Sequence, residues 1–374
     1  MDVQKRVLPG ELKELRILGR TGKNNNPLVL FWTGSGFECN YEGSELWCEF
    51  ETDYSCYEQW IAVFINGALI SRQMLQKGKQ QVCLFRNMQM RKVTHVKVVK
   101  EVQAMPGDEE AYLAVNALYG DGIFRELPEP ECRLEFIGDS ITSGEGSYGS
   151  VEEQDWISMW FSTTQAYPYL VANRMNAEYR VISQSGYGVC CAWDNNPYNT
   201  IPRYYTQLCG VLSGARNEAL GVKEPYDFSS WQPDYIIINL GTNDGCAFEQ
   251  PAWKDGTTGQ TKKMYKDALG IPAKECMDEI RTAVKEFLRL VRKNNPDAQI
   301  LWAYGLMGTI AEPAIKDGIA EYQTESGDKM VQYLALAEMK PEHIGARSHP
   351  GAAGHAAAAE TICRKLCEWK GREK

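Results

Sequence analysis

The sequence predicts two domains, an all-β sandwich or jelly roll followed by an α/β domain with a parallel sheet. Short aromatic and β-branched segments without intervening helices fill residues 27 to about 104. From about residue 133, buried strands alternate with amphipathic helices. The proline-rich run 127–131 separates the two patterns because proline interrupts both helices and strand ladders. We therefore assign residues 1–127 to the first domain and 128–374 to the second, a length that suits two domains.

The first domain is predicted from strands bounded by glycine, asparagine and proline. The clearest candidates are residues 28–32, 45–50, 60–65 and 82–85. Asn66 and Gly67 follow the third of these and have the chemistry of a tight hairpin turn, which needs a positive φ at both positions. Short strands at this spacing are typical of a sandwich or jelly roll.

The second domain is predicted from four strands with helical stretches between them. The strands are residues 133–137, 180–183, 235–239 and 299–303. The clearest helix covers residues 273–293, where apolar side chains recur at spacings of three and four. Residues 245–270 are polar and rich in glycine and lysine, which predicts a long loop over one edge of the sheet.

Charge and hydropathy exclude several classes of partner. A net charge of -9 and a pI near 5.2 argue against binding to nucleic acid or an anionic membrane. No apolar stretch reaches the length needed to span a membrane. Residues 1–9 lack the apolar core of a signal peptide, which predicts a cytoplasmic protein if this is the natural start. A trimmed precursor would look the same.

The 12 cysteines do not indicate a metal site. They lie mostly in apolar segments, where a reduced cysteine behaves as a small core residue, and no CxxC pair occurs. We expect no metal, and disulfides only if the protein is exported.

Four polar clusters lie at strand ends or helix starts of the predicted α/β domain. They are residues 136–142 (FIGDSIT), 185–188 (SGYG), 240–244 (LGTND) and 348–351 (SHPG). In a parallel sheet, functional groups collect beyond the carboxyl ends of the strands. We therefore expect the clusters to meet.

The clusters contain the groups that ester cleavage requires, namely a nucleophile, a base and donors for the developing oxyanion. Ser140, at a strand-to-helix turn, is the candidate nucleophile, and His349 is the candidate base. The main-chain N–H groups of Ser140 and Gly186, with the side-chain amide of Asn243, are the candidate oxyanion donors.

Each of these residues also has a purely structural interpretation. Ser140 would serve as a helix N-cap, Asn243 would stabilise a turn, and Gly186 would shape a loop. Asp139 is expected to be a structural turn residue. Only the joint occurrence of the four clusters favours catalysis.

The ordered set resembles the SGNH/GDSL hydrolases, whose four sequence blocks carry Ser, Gly, Asn and His, here Ser140, Gly186, Asn243 and His349. The resemblance covers roughly residues 130–370. With a β-rich domain ahead of it, the chain is similar to carbohydrate esterase family 2. This resemblance implies a three-layer, flavodoxin-like α/β domain that removes O-acetyl groups from xylan, mannan and related glycans without a cofactor.

One position departs from the wider pattern. Many SGNH enzymes carry an aspartate three residues before the histidine, where this chain has Ala346. Carbohydrate esterase family 2 is similar in this respect, since its members can work with a Ser-His dyad whose imidazole is held by a backbone carbonyl. The resemblance therefore implies a dyad here. Glu342, or another carboxylate brought in by the fold, is the alternative.

The expected substrate is an acetylated oligosaccharide derived from hemicellulose, either mannan or xylan. Tyr187, Trp193 and Trp302 are candidates for stacking against sugar rings, although each also suits the core or the rim of a site. The alternatives are a peptidoglycan or sialate O-acetylesterase, a lipase-like acylhydrolase, and a glycan-binding protein without activity. The sequence does not decide the oligomeric state.

Overall fold

The computed structural model describes residues 5–372. The expectation that the chain lacks a signal peptide was based on residues 1–9, and residues 1–4 of that segment lie outside the described residues. The strands are β1 (Lys5–Val7), β2 (Arg16–Leu18), β3 (Leu28–Val29), β4 (Gly36–Glu42), β5 (Leu46–Asp53), β6 (Trp60–Ile65), β7 (Ala68–Met74), β8 (Gly78–Phe85), β9 (Val93–Lys100), β10 (Tyr112–Gly120), β11 (Ile123–Arg125), β12 (Cys132–Gly138), β13 (Ala177–Ser183), β14 (Tyr235–Asn239), β15 (Trp253–Lys254), β16 (Thr261–Lys262), β17 (Gln299–Gly305) and β18 (Val331–Leu336).

The helices are α1 (Ser140–Ser143), α2 (Tyr167–Arg174), α3 (Ile201–Tyr204), α4 (Ala215–Ala219), α5 (Thr242–Cys246), α6 (Lys274–Asn294), α7 (Glu312–Ser326) and α8 (Ala352–Arg372). Short 3-10 helices lie at Pro9–Glu11, Ser158–Trp160, Thr163–Gln165, Phe228–Ser230, Ala247–Glu249, Pro341–His343 and Ala346–Ser348. Within residues 5–372, no helix combines the length and the apolar character that crossing a membrane requires.

The chain divides into two compact units. The first holds the residues up to 130 together with 156–164 and 207–226. The second holds 131–155, 165–206 and the residues from 227 onward. The sequence predicted a single boundary after residue 127, and it did not identify the two later segments that return to the first unit.

The first unit is a sandwich of two antiparallel sheets, as predicted. One sheet has the order β1–β10–β5–β8, with β3 also paired to β10, and the other has the order β11–β4–β9–β6–β7, with β2 paired to β4. Alternate side chains of β5 are buried, among them Cys48 and Phe50, because successive residues of a strand point to opposite faces. Asn66 and Gly67 have φ values of 51° and 82°, which confirms the predicted turn between β6 and β7.

The second unit is built on a parallel sheet with the order β13–β12–β14–β17–β18. Numbered along the chain, this is the order 2-1-3-4-5 of flavodoxin-like folds, as the resemblance implied. Helix α2 packs against α8, and α6 packs against α7. All five residues of β14 are buried, which requires cover on both faces of the sheet. The predicted α/β class is confirmed.

The predicted loop at residues 245–270 contains the small antiparallel hairpin β15–β16. A buried asparagine, Asn195, anchors this excursion. Its side-chain amide donates hydrogen bonds to the carbonyl oxygens of Ala247 and Pro251 (2.9 and 3.0 Å), and its side-chain oxygen accepts one from the main-chain N–H of Met264 (2.6 Å). The segment is therefore fixed to the loop that follows the second polar cluster.

Candidate active site

Three of the four polar clusters leave the sheet at one place. Gly138, at the end of β12, pairs in register with Ser183 at the end of β13 and with Asn239 at the end of β14. The segments that follow these residues therefore emerge side by side. This is the point where the strand order reverses, which is the usual site of ligand binding in open α/β sheets.

Ser140 is the first residue of α1, and the helix is capped by its neighbour. The Oδ1 atom of Asp139 accepts a hydrogen bond from the main-chain N–H of Ile141 at 3.0 Å. Asp139 therefore serves as the N-cap of this helix, which is the structural role that the sequence left open for Ser140. The Ser140 hydroxyl is left for other partners, although only 6% of the residue is exposed.

The fourth cluster brings His349 to Ser140. The Nε2 atom of His349 lies 2.9 Å from Ser140 Oγ, and its Nδ1 atom lies 2.8 Å from the carbonyl oxygen of Arg347. Because a carbonyl oxygen only accepts, Nδ1 carries the hydrogen and Nε2 is free to accept the serine proton. The arrangement suits a nucleophile with its general base.

The backbone before His349 is strained. Arg347 and Ser348 have φ values of 55° and 57°, in the left-handed region. For a residue other than glycine, this conformation costs roughly 1–2 kcal/mol. Strain that the surrounding contacts hold in place is often found at functional sites.

A carboxylate that the sequence did not single out lies beside the imidazole. Glu145 is 2% exposed, and its Oε1 atom lies 3.9 Å from His349 Nε2. The same atom accepts a hydrogen bond from Arg347 Nε at 2.7 Å, and Oε2 accepts one from Ser185 Oγ at 2.6 Å. Its position between Gly144 and Gly146, five residues after the nucleophile, was the available signal. Glu342, the named alternative, is exposed.

Gly186 is required by both backbone conformation and space. Its φ is 81°, and a Cβ atom there would lie 3.0 Å from Cδ1 of Trp193. Among residues 5–372, no acceptor takes the main-chain hydrogens of Gly186 or Ser140. Both N–H groups therefore have the free donor capacity that an oxyanion hole needs.

Asn243 lies in the site, but its amide hydrogens are already engaged. Nδ2 donates to the carbonyl oxygen of Tyr187 at 2.9 Å and to Asp139 Oδ2 at 3.2 Å. To donate to an oxyanion, Asn243 must exchange one of these bonds. Its expected role as a donor stays a prediction.

Two buried carboxylates support this side of the site. Asp244 accepts hydrogen bonds from the main-chain N–H groups of Val189, Cys190 and Cys191, which fixes the loop after Gly186. Burial, together with the negative charges of Asp244 and Glu145, raises the pKa of Asp139 to about 7, while the hydrogen bond from Ile141 lowers it. Asp139 therefore binds a proton at a much higher pH than an exposed aspartate does.

Comparisons with known proteins identify the family of this chain. Residues 136–357 match the model of the GDSL-like Lipase/Acylhydrolase family, and this span includes all four clusters. The chain belongs to this family. The predicted membership of the SGNH/GDSL hydrolases is therefore confirmed, and with it the class of carboxylic ester hydrolases.

Solved structures that are similar to this protein cover both of its units. An acetyl xylan esterase (Est2A) from the rumen bacterium Butyrivibrio proteoclasticus is 42% identical, with a TM-score of 0.97 and 99% of each chain covered. A family two carbohydrate esterase from Clostridium thermocellum, in complex with cellohexaose, is 24% identical, with a TM-score of 0.76, 96% of this chain covered and 99% of that one. The predicted likeness to carbohydrate esterase family 2 is confirmed.

One relative is much longer than this protein, which matches only part of it. The cellulase/esterase CelE of Acetivibrio thermocellus is 26% identical over 351 residues, which is 90% of this chain and 37% of CelE. The chain therefore spans little more than a third of that relative.

The three aromatic candidates lie in different environments within the second unit. Trp193 is 49% exposed and lies against Gly186. Tyr187 is mostly buried and packs against Tyr204 at a ring separation of 5.9 Å. Contact of these two with substrate stays a prediction.

The expectation for Trp302 is wrong. Its side chain is 0% exposed, its Nε1 donates to the carbonyl oxygen of Leu240 at 3.1 Å, and its ring packs edge-on against Phe287. Trp302 lies in β17, between β14 and β18, so cover on both faces of the sheet keeps it from substrate.

No metal centre is evident in residues 5–372, where no group of three or more His, Cys, Asp or Glu side chains is placed to hold an ion.

Proposed function

We propose that this protein is a carbohydrate O-acetylesterase that removes acetyl groups from hemicellulose-derived oligosaccharides by serine acyl transfer. The observation that carries the proposal is the 2.9 Å contact between Ser140 Oγ and His349 Nε2, with His349 Nδ1 held by a main-chain carbonyl. The 42% identity to an acetyl xylan esterase over 99% of both chains supports this activity and favours xylan fragments over mannan.

The reaction has two steps, each with His349 moving one proton. In the first, His349 Nε2 takes the proton of Ser140 as Oγ attacks the acetyl carbonyl carbon, and the carbonyl oxygen becomes negative. The main-chain N–H groups of Ser140 and Gly186 stabilise that oxygen. The sugar alcohol then leaves with the proton from His349, and acetyl-Ser140 remains.

Water completes the cycle in the second step. His349 takes a proton from the water molecule, whose oxygen attacks the acetyl carbonyl through the same oxyanion site. The bond to Ser140 Oγ breaks, the proton returns to Oγ, and acetate leaves. A Ser-His dyad suffices in this scheme because the Arg347 carbonyl keeps the imidazole in the required tautomer.

The proposal is tested by hydrolysis of p-nitrophenyl acetate. Ser140→Ala and His349→Ala are each expected to lower kcat at least about 1,000-fold, since the nucleophile and base act as a unit. Ser143→Ala is the matched control, because Ser143 lies in the same helix but its hydroxyl donates to Ser183 Oγ at 2.8 Å. Full activity of either site variant would end the proposal.

The acyl and sugar specificity need separate measurements. Nitrophenyl esters of increasing acyl length separate an acetylesterase, which prefers the two-carbon ester, from a lipase-like enzyme. Mass spectrometry of acetylated xylo- and manno-oligosaccharides before and after incubation tests the sugar. We expect loss of acetyl groups from the xylo-oligosaccharides, whereas binding without turnover would indicate a glycan-binding protein.

A further inference from the structure

We propose that the partly buried ion pair of Glu145 and Arg347 does the work of the missing third member of the triad, because it holds the backbone whose carbonyl oxygen orients His349 and places Glu145 where it stabilises the imidazolium. This inference rests on the proposed function and deepens it. Both are positioning residues, since they act through His349.

The pair is held tightly on both sides. Glu145 accepts hydrogen bonds from Arg347 Nε and Ser185 Oγ, so each of its oxygens has a strong donor. Arg347 donates a second side-chain hydrogen bond from Nη1 to the carbonyl oxygen of Gln154 at 2.6 Å. Its main-chain N–H also donates to the carbonyl oxygen of Glu153 at 2.8 Å. Both ends of the guanidinium are therefore tied to residues 145–154.

These ties explain how the strained backbone persists. The carbonyl of Arg347 points at His349 Nδ1 only while Arg347 and Ser348 keep their positive φ angles, and neither is a glycine. A relaxed backbone would turn that carbonyl away from the imidazole. The side-chain bonds of Arg347 oppose this relaxation. The ion pair thus supplies orientation that an aspartate at position 346 would supply directly.

The loop that carries Glu145 is packed against the loop that carries His349. Ala346 donates a main-chain hydrogen bond to the carbonyl oxygen of Gly146 at 3.1 Å. A Cβ atom on Gly146 would lie 2.3 Å from the Ala346 carbonyl oxygen and 2.7 Å from His349 Cβ. This close approach holds the Glu145 carboxylate beside the imidazole.

The carboxylate is placed where positive charge develops. Glu145 Oε1 lies 3.9 Å from His349 Nε2, the atom that receives the serine proton, and the His349 side chain is only 13% exposed. Charges this close and this shielded from water interact strongly. Burial would raise the pKa of Glu145, but His349 and the hydrogen bonds from Ser185 and Arg347 hold it below its usual value. Glu145 is therefore ionised at neutral pH.

Other titratable groups also act on this site. Arg347 opposes the effect of Glu145 on the imidazole, and the buried carboxyl of Asp139 interacts with Glu145. Asp244 acts on Asp139, and the buried side chain of His355 interacts with His349. None of these residues is replaced in a Glu145 variant, although loss of the Glu145 charge also lowers the pKa of Asp139. A shift in the pH profile of that variant therefore reports the removal of the Glu145 charge from the site, which lies 3.9 Å from His349 Nε2.

Glu145→Gln removes the charge and keeps the shape and one acceptor oxygen. We expect kcat for p-nitrophenyl acetate to fall about 10- to 100-fold with KM within about twofold. The midpoint of the acidic limb of the kcat/KM profile should move to lower pH, because the imidazolium loses its anionic neighbour. Glu152→Gln, which removes an exposed carboxylate from the same segment, is the matched control and should change neither quantity.

Arg347→Gln should shift the acidic limb of the kcat/KM profile in the opposite direction. Loss of its positive charge should move the acidic limb to higher pH, while kcat falls about tenfold because the carbonyl is less well held. Circular dichroism first establishes that each variant is folded. If Arg347→Gln does not fold, Glu145→Gln together with Glu145→Asp decides the question.

The result that overturns the inference is a folded Glu145→Gln enzyme with the wild-type kcat and an unmoved acidic limb. A fall in kcat without a shift of the limb would also overturn the role in stabilising charge, since a loop brace alone predicts that outcome. The proposed function fails differently. It falls if Ser140→Ala retains full activity, whatever Glu145→Gln does.

Discussion

The Nδ1 atom of His349 lies 2.8 Å from the carbonyl oxygen of Arg347, two residues earlier in the chain. This contact leaves Nε2 facing Ser140 with its lone pair available. The position where the resemblance to SGNH hydrolases predicts an aspartate is occupied by Ala346, which is buried and has no acceptor in its side chain. The orientation of the base is therefore a property of the backbone at 347 and of whatever holds that backbone.

Replacing Asn243 should separate catalysis from structure. In Asn243→Ala we expect kcat to fall about 100-fold and KM to change little, because a donor used mainly in the transition state contributes about 3 kcal/mol. The measurement is steady-state kinetics with p-nitrophenyl acetate. Asn239→Ala is the control, since Asn239 is also buried and donates to the Ala303 carbonyl oxygen at 2.7 Å. An equal loss of kcat in both variants would contradict a specific role for Asn243.

The two tryptophans should respond in opposite ways. Trp193→Ala is expected to change the free energy of unfolding by less than about 0.5 kcal/mol, because half of the side chain is exposed. It should raise KM for acetylated xylo-oligosaccharides about fivefold, which corresponds to about 1 kcal/mol of ring contact, and leave KM for p-nitrophenyl acetate unchanged.

Trp302→Ala should instead cost about 3–5 kcal/mol of stability, because it empties a core position. Denaturant unfolding and kinetics on both substrates check the pair. An unchanged KM for the oligosaccharide in Trp193→Ala would show that Trp193 does not touch the sugar.

His355 should make stability depend on pH. Its side chain is fully buried, its Nδ1 accepts from the main-chain N–H of Tyr167 at 3.3 Å, and burial together with the charge of His349 lowers its pKa from 6.5 to about 3. Below pH 6.5 the unfolded chain binds a proton that the folded chain excludes. The free energy of unfolding should therefore fall by about 1.4 kcal/mol for each pH unit below 6.5, until about pH 3.

The test is denaturant unfolding of wild type and His355→Asn between pH 5 and 8. Asparagine keeps an acceptor for Tyr167 but does not titrate in this range. The wild type should lose stability relative to the variant as the pH falls, since contributions from other groups cancel in the difference. A difference that is constant with pH would contradict the prediction.

Local patterns predicted the elements whose signal is complete within a few residues. Strand β14 has the predicted bounds, and α6 differs from its prediction by one residue at each end. In both, the spacing of apolar residues carries the information. Strands β4, β9 and β10 were not identified, because their character depends on partners distant in sequence.

The candidate site was predicted in part. Ser140 and His349 were identified because each lies in a cluster at the edge of an element, and the resemblance ordered them. Trp302 was assigned to substrate because a strand end looks exposed in sequence, whereas the packing of both sheet faces buries it. Apart from the position of Glu145 between two glycines, neither Glu145 nor Arg347 belonged to a pattern that pointed to the site. Their pairing joins residues 202 positions apart.

The sequence by itself determined the class of each unit, the order of the clusters and the residue types available for ester chemistry, since these follow from periodicity, turn chemistry and side-chain reactivity. Only the tertiary structure decided which groups meet. The sheet order and the packing of two loops bring together Ser140 and His349, 209 residues apart, and place a carboxylate beside them. Such long-range approach depends on the whole arrangement of packed elements, which no local stretch of chain encodes.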